Sequence, residues 1–260
     1  FQALDIPPDF SPADPGSVET LRAAALAETL ERAYADPDFC AFADLYGKGR
    51  SDKAAGETIL HTYDFLRALP DYDRKLDEFL APWKAERGFD KTCWHDLLLA
   101  EAARDAKAGR ELFCAALSDC KNDLVLARIE AENKGKTDAA RAKGVAGAND
   151  KFAEPLERLE NAAALLGEVE RLAEAGEWTP LYDRLTPYVL GMEPLPGLKG
   201  MKKRLTGEHK AAIKTRADEA AGLFGQILEL IACSEDEAEA DRLAALPRLQ
   251  ALFAAVRDFD

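Results

Sequence analysis

Phe152, Leu156, Leu159, Ala163 and Leu166 recur at intervals of three and four residues, and the seam drifts on through Leu165, Val169 and Leu172. Only a helix brings such positions onto one side, because 3.6 residues complete a turn. The spacing predicts a long helix over about 152–175. The same rhythm fills most of the chain. Ser17 is placed to cap a helix running to Tyr34, which Pro37 ends. A short helix with Phe39, Phe42 and Leu45 follows. Ser51 or Asp52 is placed to cap a helix carrying Ile59, Tyr63 and Leu66, and another carries Leu76, Phe79, Leu80 and Trp83. Residues 92–118 read as one or two helices, Asn122 and Asp123 as the start of one reaching Ile129, and Trp178–Gly191 as a short one. A further helix follows residue 198, and the last covers about 242–258. Long alternation of Val, Ile and Thr is absent. The expected class is all-α, an irregular multi-helix bundle with one or two long helices.

Two stretches break the rhythm. NKGKTDAARAKGVAGAND (133–150) is small, polar and nearly without large apolar groups, so it reads as an exposed Gly/Ala/Lys-rich arm, hinge or loop. MEPLPGLKG (192–200), with two prolines and two glycines, reads as a linker. Residues 1–260 thus form one helical body, with sub-lobes 1–132 and 151–260 joined by the exposed segment 133–150. A chain 47% hydrophobic and 32% charged is not disordered. No apolar run approaches the roughly 18 residues of a membrane helix, and FQALDIPPDF has no basic segment leading into an apolar core, so no signal peptide is expected. The chain lacks an initial Met, and LFAAVRDFD stops inside a helical pattern. Both ends read as cuts in a longer polypeptide. The five cysteines (Cys40, Cys93, Cys114, Cys120, Cys233) are odd in number and widely spaced, without CxxC. They are expected to be buried apolar thiols of a cytoplasmic protein.

Enzyme signatures are missing. GxxxxGK[ST], GxSxG and HExxH do not occur, and GKGR at 47–50 is only a turn. Glu57 and His61, four apart, would share a helix side, but a di-metal bundle needs Glu-x-x-His from two helices and none exists here. Cys93 and His95 have no second pair to complete a metal site. His61 reads as a packed or rim histidine and the Cys93/His95 pair as structural, and no catalytic pair is assigned.

What remains is a concentration of charge. LKGMKKRLTGEHKAAIKTR (198–216) holds Lys199, Lys202, Lys203, Arg204, Lys210, Lys214 and Arg216 against one acid, Glu208, a local balance of +6 in a chain of net charge −14. On a continuous helix Lys199, Lys203, Lys210 and Lys214 fall within about one sixth of the circumference. Lys202, Arg204 and Arg216 flank that stripe, and Gly200 and Gly207 weaken the assumption of continuity. Such a ridge matches a phosphate rail, and the absence of interleaved aromatics points to backbone contact rather than base stacking. The alternatives are a solvated helix face or pairing with the chain's own acids. Lys134, Lys136, Arg141, Lys143 and Lys151 make a second, weaker basic patch in the arm.

LDIPPDF (4–10), LRAAALAETLERAY (21–34), FADLYGKGRSD (42–52) and ILHTYDFLRALPDYDRKLDEFL (59–80) together resemble the AddA-type helicase–nuclease subunits, UvrD-like superfamily 1 helicases that process double-strand DNA ends. The family's I-L-x-x-Y-x-F-L-R-x-L-P helix is carried by Ile59, Leu60, Tyr63, Phe65, Leu66, Arg67, Leu69 and Pro70. The Lys-rich segment and LQALFAAVRDFD are similar more loosely, and residues 90–190 find no match. Lys75 stands where the family often has tryptophan. The family's ATP-binding, Walker B and nuclease segments are not in this chain.

The resemblance implies a non-catalytic helical insertion, usually called domain 1B, lying between the P-loop and Walker B segments of a parent helicase/exonuclease. The partners it implies are double-stranded DNA ends and the nuclease subunit of the complex. ATP and Mg belong to the parent, with no cofactor in this piece. Phosphate contacts would fall to Lys199, Lys202, Lys203, Arg204, Lys210, Lys214 and Arg216. The alternative is a protein-interaction scaffold docking the nuclease subunit or the motor core.

Overall fold

Residues 93–134 form one unbroken helix of 42 residues, about 63 Å long at 1.5 Å per residue. The computed structural model describes residues 14–46, 52–84, 88–198 and 205–260, and no strand occurs among them. In chain order the helices are α1 (Pro15–Ala33), α2 (Pro37–Tyr46), α3 (Lys53–Arg67), α4 (Tyr72–Lys84), α5 (Cys93–Lys134), α6 (Asp138–Glu174), α7 (Trp178–Val189), α8 (Lys210–Leu230) and α9 (Glu235–Phe259), with a 3-10 turn at Phe89–Lys91. The chain divides into two compact units, Phe1–Glu86 with Glu239–Asp260, and Arg87–Ala238.

The first unit packs α1–α4 with all but the first turn of α9. Asp14 caps α1, accepting from the Gly16 and Ser17 amides at 3.0 Å, with Pro15 opening the helix, so Ser17 is not the cap. Asp52 stands at the start of α3 without capping it and accepts instead from the Tyr34 hydroxyl at 2.8 Å. The core gathers Phe39, Phe42, Ile59, Leu66 and Leu76 with Leu252 and Val256. Tyr34 meets Phe39 edge-on at 5.3 Å, and Tyr63 meets Phe259 edge-on at 4.9 Å. Arg32 pairs with Asp258 at 2.7 Å, and Arg257 with Asp73 at 3.1 Å, joining α9 to α1 and α4.

The second unit is built on an α5/α6 hairpin. Its rungs are Arg110–Glu170 (2.7 Å), Lys121–Glu160 (3.0 Å) and Arg128 donating to Asn149 (2.7 Å), and their order makes the helices antiparallel. α8 returns along α5. At Gly109 an added Cβ would lie 2.8 Å from Leu166 of α6 and 3.6 Å from the Ala220 carbonyl of α8, so the missing side chain lets three helices close together. The core contains Phe113, Leu159, Leu166, Ile213 and Phe224. α7 closes it, with Trp178 edge-on to Phe89 at 4.9 Å and its indole N–H donating to the Cys233 carbonyl at 3.2 Å. His95 is buried between Phe89 and Trp178.

Several expectations change. Residues 92–129 are not separate helices: Asp123 lies buried inside α5 and starts nothing. The segment 133–150 is exposed over most of its length but is neither hinge nor long loop. It is the helical tip of the hairpin, broken only at 135–137. There Thr137 caps α6 by accepting from the Ala140 amide at 3.3 Å, and Arg141 Nε donates to the Gly135 carbonyl at 3.0 Å. The helices on either side pack together within one compact unit, Arg87–Ala238. Of the five thiols only Cys120 is buried, while Cys93 and Cys114 are exposed and Cys40 and Cys233 lie between. Helix geometry decides this: Cys114 follows the buried Phe113 and is turned about 100° away from it.

Candidate nucleic-acid interface

Leu205–His209 is not helical. Gly207 adopts φ +119°, and α8 starts only at Lys210. The expected single ridge through Lys199, Lys203, Lys210 and Lys214 therefore loses its premise, because no continuous helix joins its halves. Lys199, Lys202, Lys203 and Arg204 lie outside the described residues. Of the seven basic candidates the structure describes three, and they differ.

Lys210 is exposed and Lys214 half-buried, one turn apart on α8, while Ile213, Ala217, Ala220 and Phe224 face the core. Neither lysine has an ion-pair partner among the described residues. Arg216 is engaged instead. Its guanidinium pairs closely with Asp119 of α5, so its charge is already answered within the protein.

A second carboxylate, Asp123, lies one turn from Asp119 on α5 and is only 2% exposed. It accepts from the His209 amide at 3.2 Å and from His209 Nδ1 at 2.8 Å. Gly207 lies against it: an added Cβ would stand 2.2 Å from Oδ2. Asp119 and Asp123 thus hold the start of α8 at two points. The residue pattern draws attention to the lysines and misses these acids. Their only signal is a pair of aspartates four apart within a helical stretch otherwise rich in apolar residues.

The hydrogen bond that His209 donates to Asp123 raises its pKa above the ordinary value of 6.5, with further support from the charges of Asp123, Asp119 and Glu208. A raised folded-state pKa stabilises the fold fully below the unfolded value and loses that contribution as pH rises through the folded one. His209 should therefore titrate above 6.5 in an NMR histidine titration, and the stability gap between wild type and His209→Gln should shrink at alkaline pH. A midpoint at or below 6.5, or a gap that grows with pH, would contradict the arrangement.

Elsewhere, no group of three or more His, Cys, Asp and Glu side chains that could hold a metal ion is found among the described residues, and Glu57 and His61 both sit at the surface. No described helix is long and apolar enough to cross a membrane.

Comparison with known proteins bears on what this surface serves. No family model matches the chain. It is 28% identical over 135 residues to the A-type subunit of the ATP-dependent helicase/nuclease of Acetivibrio thermocellus, a match that covers 50% of this chain and 11% of that protein. Over 122 residues it is 34% identical to the protein of the same name from Geobacillus kaustophilus, covering 45% of this chain and 10% of the relative. The chain is similar to part of the A-type subunit of ATP-dependent helicase/nucleases. A third relative of that name, from Ruminiclostridium cellulolyticum, is 25% identical over 128 residues. The resemblance noted in residues 4–80 thus agrees with these likenesses. The matches take in only about a tenth of each of these relatives' length.

Proposed function

We propose that this chain is a non-catalytic helical segment, of the 1B insertion type, within a helicase–nuclease subunit that works on double-strand DNA ends, and that it contacts duplex phosphates without sequence preference. The observation carrying the reading is the pair Lys210 and Lys214 on the outer side of α8, uncompensated among the described residues while Arg216 and His209 are tied down beside them. In sequence this pair continues the run Lys199, Lys202, Lys203 and Arg204. The three relatives support the DNA assignment, since they are named helicase/nucleases. ATP and Mg belong, on this reading, to the parent motor. This chain does not fit them, because it has no GxxxxGK[ST] loop to cradle a phosphate. The parent would work in the cytoplasm with a nuclease subunit.

The test is titration with a duplex at two salt concentrations. Six lysines and arginines meeting phosphate, Arg216 being occupied, would reduce affinity about 10³-fold between roughly 50 and 200 mM salt. Lys210→Glu with Lys214→Glu should weaken binding and flatten the salt slope by about two phosphate contacts. Absence of binding at low salt by a folded chain would end the reading. In the parent complex, Lys203→Glu, Lys210→Glu and Lys214→Glu together should abolish DNA-end binding with assembly intact. Lost assembly would favour the docking alternative.

A further inference from the structure

The hairpin tip carries a different kind of surface. Between α5, α6 and residues 206–208 runs a groove of about 850 Å³. Its α5 wall presents Leu126 and Ile129, 46% and 49% exposed. Its α6 side includes three small residues, Gly144, Gly147 and Ala148, above the buried Phe152, and a Cβ added at Gly147 would meet nothing within 4 Å. Lys143 and Lys151 stand along that side, both exposed. They are eight residues apart, about 12 Å along the helix, and have no ion-pair partner among the described residues. The opposite edge is acidic, with Glu208 and with Glu130, the latter paired to Lys134 at 3.2 Å.

These features select among ligands. A phosphate rail would leave Leu126 and Ile129 uncovered and would set Glu208 against anions. An amphipathic helix, about 10 Å across, can cover the two apolar side chains while its carboxylates reach one edge only. Exposed apolar side chains rimmed by charge are the usual mark of a protein contact. We propose that this groove docks an amphipathic helix of a partner protein, its apolar stripe seated on Leu126 and Ile129 and its carboxylates, two turns apart, paired with Lys143 and Lys151. The inference stands apart from the duplex reading, which uses α8.

The test uses the 260-residue chain and two fluorescent model helices, each with a leucine stripe. One carries glutamates two turns apart beside the stripe, the other lysines at the same places. The glutamate helix should bind more tightly than its lysine twin. Gly147→Leu fills the groove where space is open, so it should weaken that binding at least about tenfold with the thermal midpoint of unfolding unchanged or raised. Lys143→Glu with Lys151→Glu should reverse the preference between the two helices. Ile129→Glu, at an exposed position, provides a second block should Gly147→Leu misfold. Lys210→Glu with Lys214→Glu should leave helix binding intact while weakening duplex binding, which separates the two readings. Equal affinity for both helices, no binding of either, or full affinity in folded Gly147→Leu or Ile129→Glu would overturn the proposal. So would loss of duplex binding in the Lys143/Lys151 variant with no helix binding, an outcome that would assign the groove to DNA.

Discussion

Gly207→Ala is expected to destabilise the chain by about 3 kcal/mol, more than an exposed loop position ordinarily costs. Two effects combine. At φ +119° an L side chain is strained, a cost of about 1–3 kcal/mol when the surroundings hold the backbone in place. The new Cβ would also lie 2.2 Å from Asp123 Oδ2 and 2.8 Å from its Cβ. The buried carboxylate cannot retreat, because it sits within α5. The loop must therefore lift, and both the His209 ring and its amide lose their acceptor, the amide's bond to a charged group being of a kind that contributes about 1.5–3 kcal/mol. Asp123→Ala removes the acceptor and the carboxylate that the new side chain strikes, leaving only the 2.8 Å approach of the two Cβ atoms. The double variant should consequently cost less than the two single variants summed, a coupling expected of groups in direct contact. Urea unfolding of the four proteins measures it. A Gly207→Ala cost below about 1 kcal/mol, or strict additivity, would show that the loop does not rest on Asp123.

The all-α class was legible because apolar spacing reports helices directly, and the seam from Phe152 to Leu172 is the clearest case. It was least legible where a neighbouring helix decides the conformation. GVAGA within 144–148 has two glycines and little to bury, so by itself it favours a loop. In the fold α5 lies alongside, with Ala131 3.0 Å from where a Cβ on Gly144 would be, and the close approach makes glycine the fitting residue. Pro155 lies inside α6, where a proline ordinarily ends or opens a helix, and so the visible seam reads as starting near Phe152. The place of α9 beside α1 rests on pairs such as Arg32 with Asp258, 226 residues apart, which no local pattern announces. At the candidate interface the charge was evident and its use was not. Arg216 and Lys214 are equivalent in composition, yet Asp119, almost a hundred residues earlier, engages one of them and not the other.

Arg242→Ala should cost about 2–3 kcal/mol, below the range for a fully buried ion pair because Glu239 is 29% exposed. Arg242 is 5% exposed, in the part of α9 that belongs to the first unit. Its Nε and one terminal nitrogen each lie 2.7 Å from a Glu239 oxygen, and the other terminal nitrogen donates to the Trp83 carbonyl at 2.7 Å. This guanidinium satisfies the carbonyl near the end of α4 and holds α9 against that helix. Removing it takes a donor from the carbonyl and a planar two-point partner from Glu239. Arg242→Lys keeps the charge but reaches only one partner at a time, so it should recover less than half of the loss. Arg242→Met with Glu239→Leu separates the cost of breaking the pair from its net contribution: similar volume with neither charge left behind should bring stability back to within about 1 kcal/mol of wild type. Denaturant midpoints for the four proteins decide the matter. If Arg242→Ala unfolds within about 1 kcal/mol of wild type, α9 is held to α4 by apolar packing alone and the guanidinium only shields it.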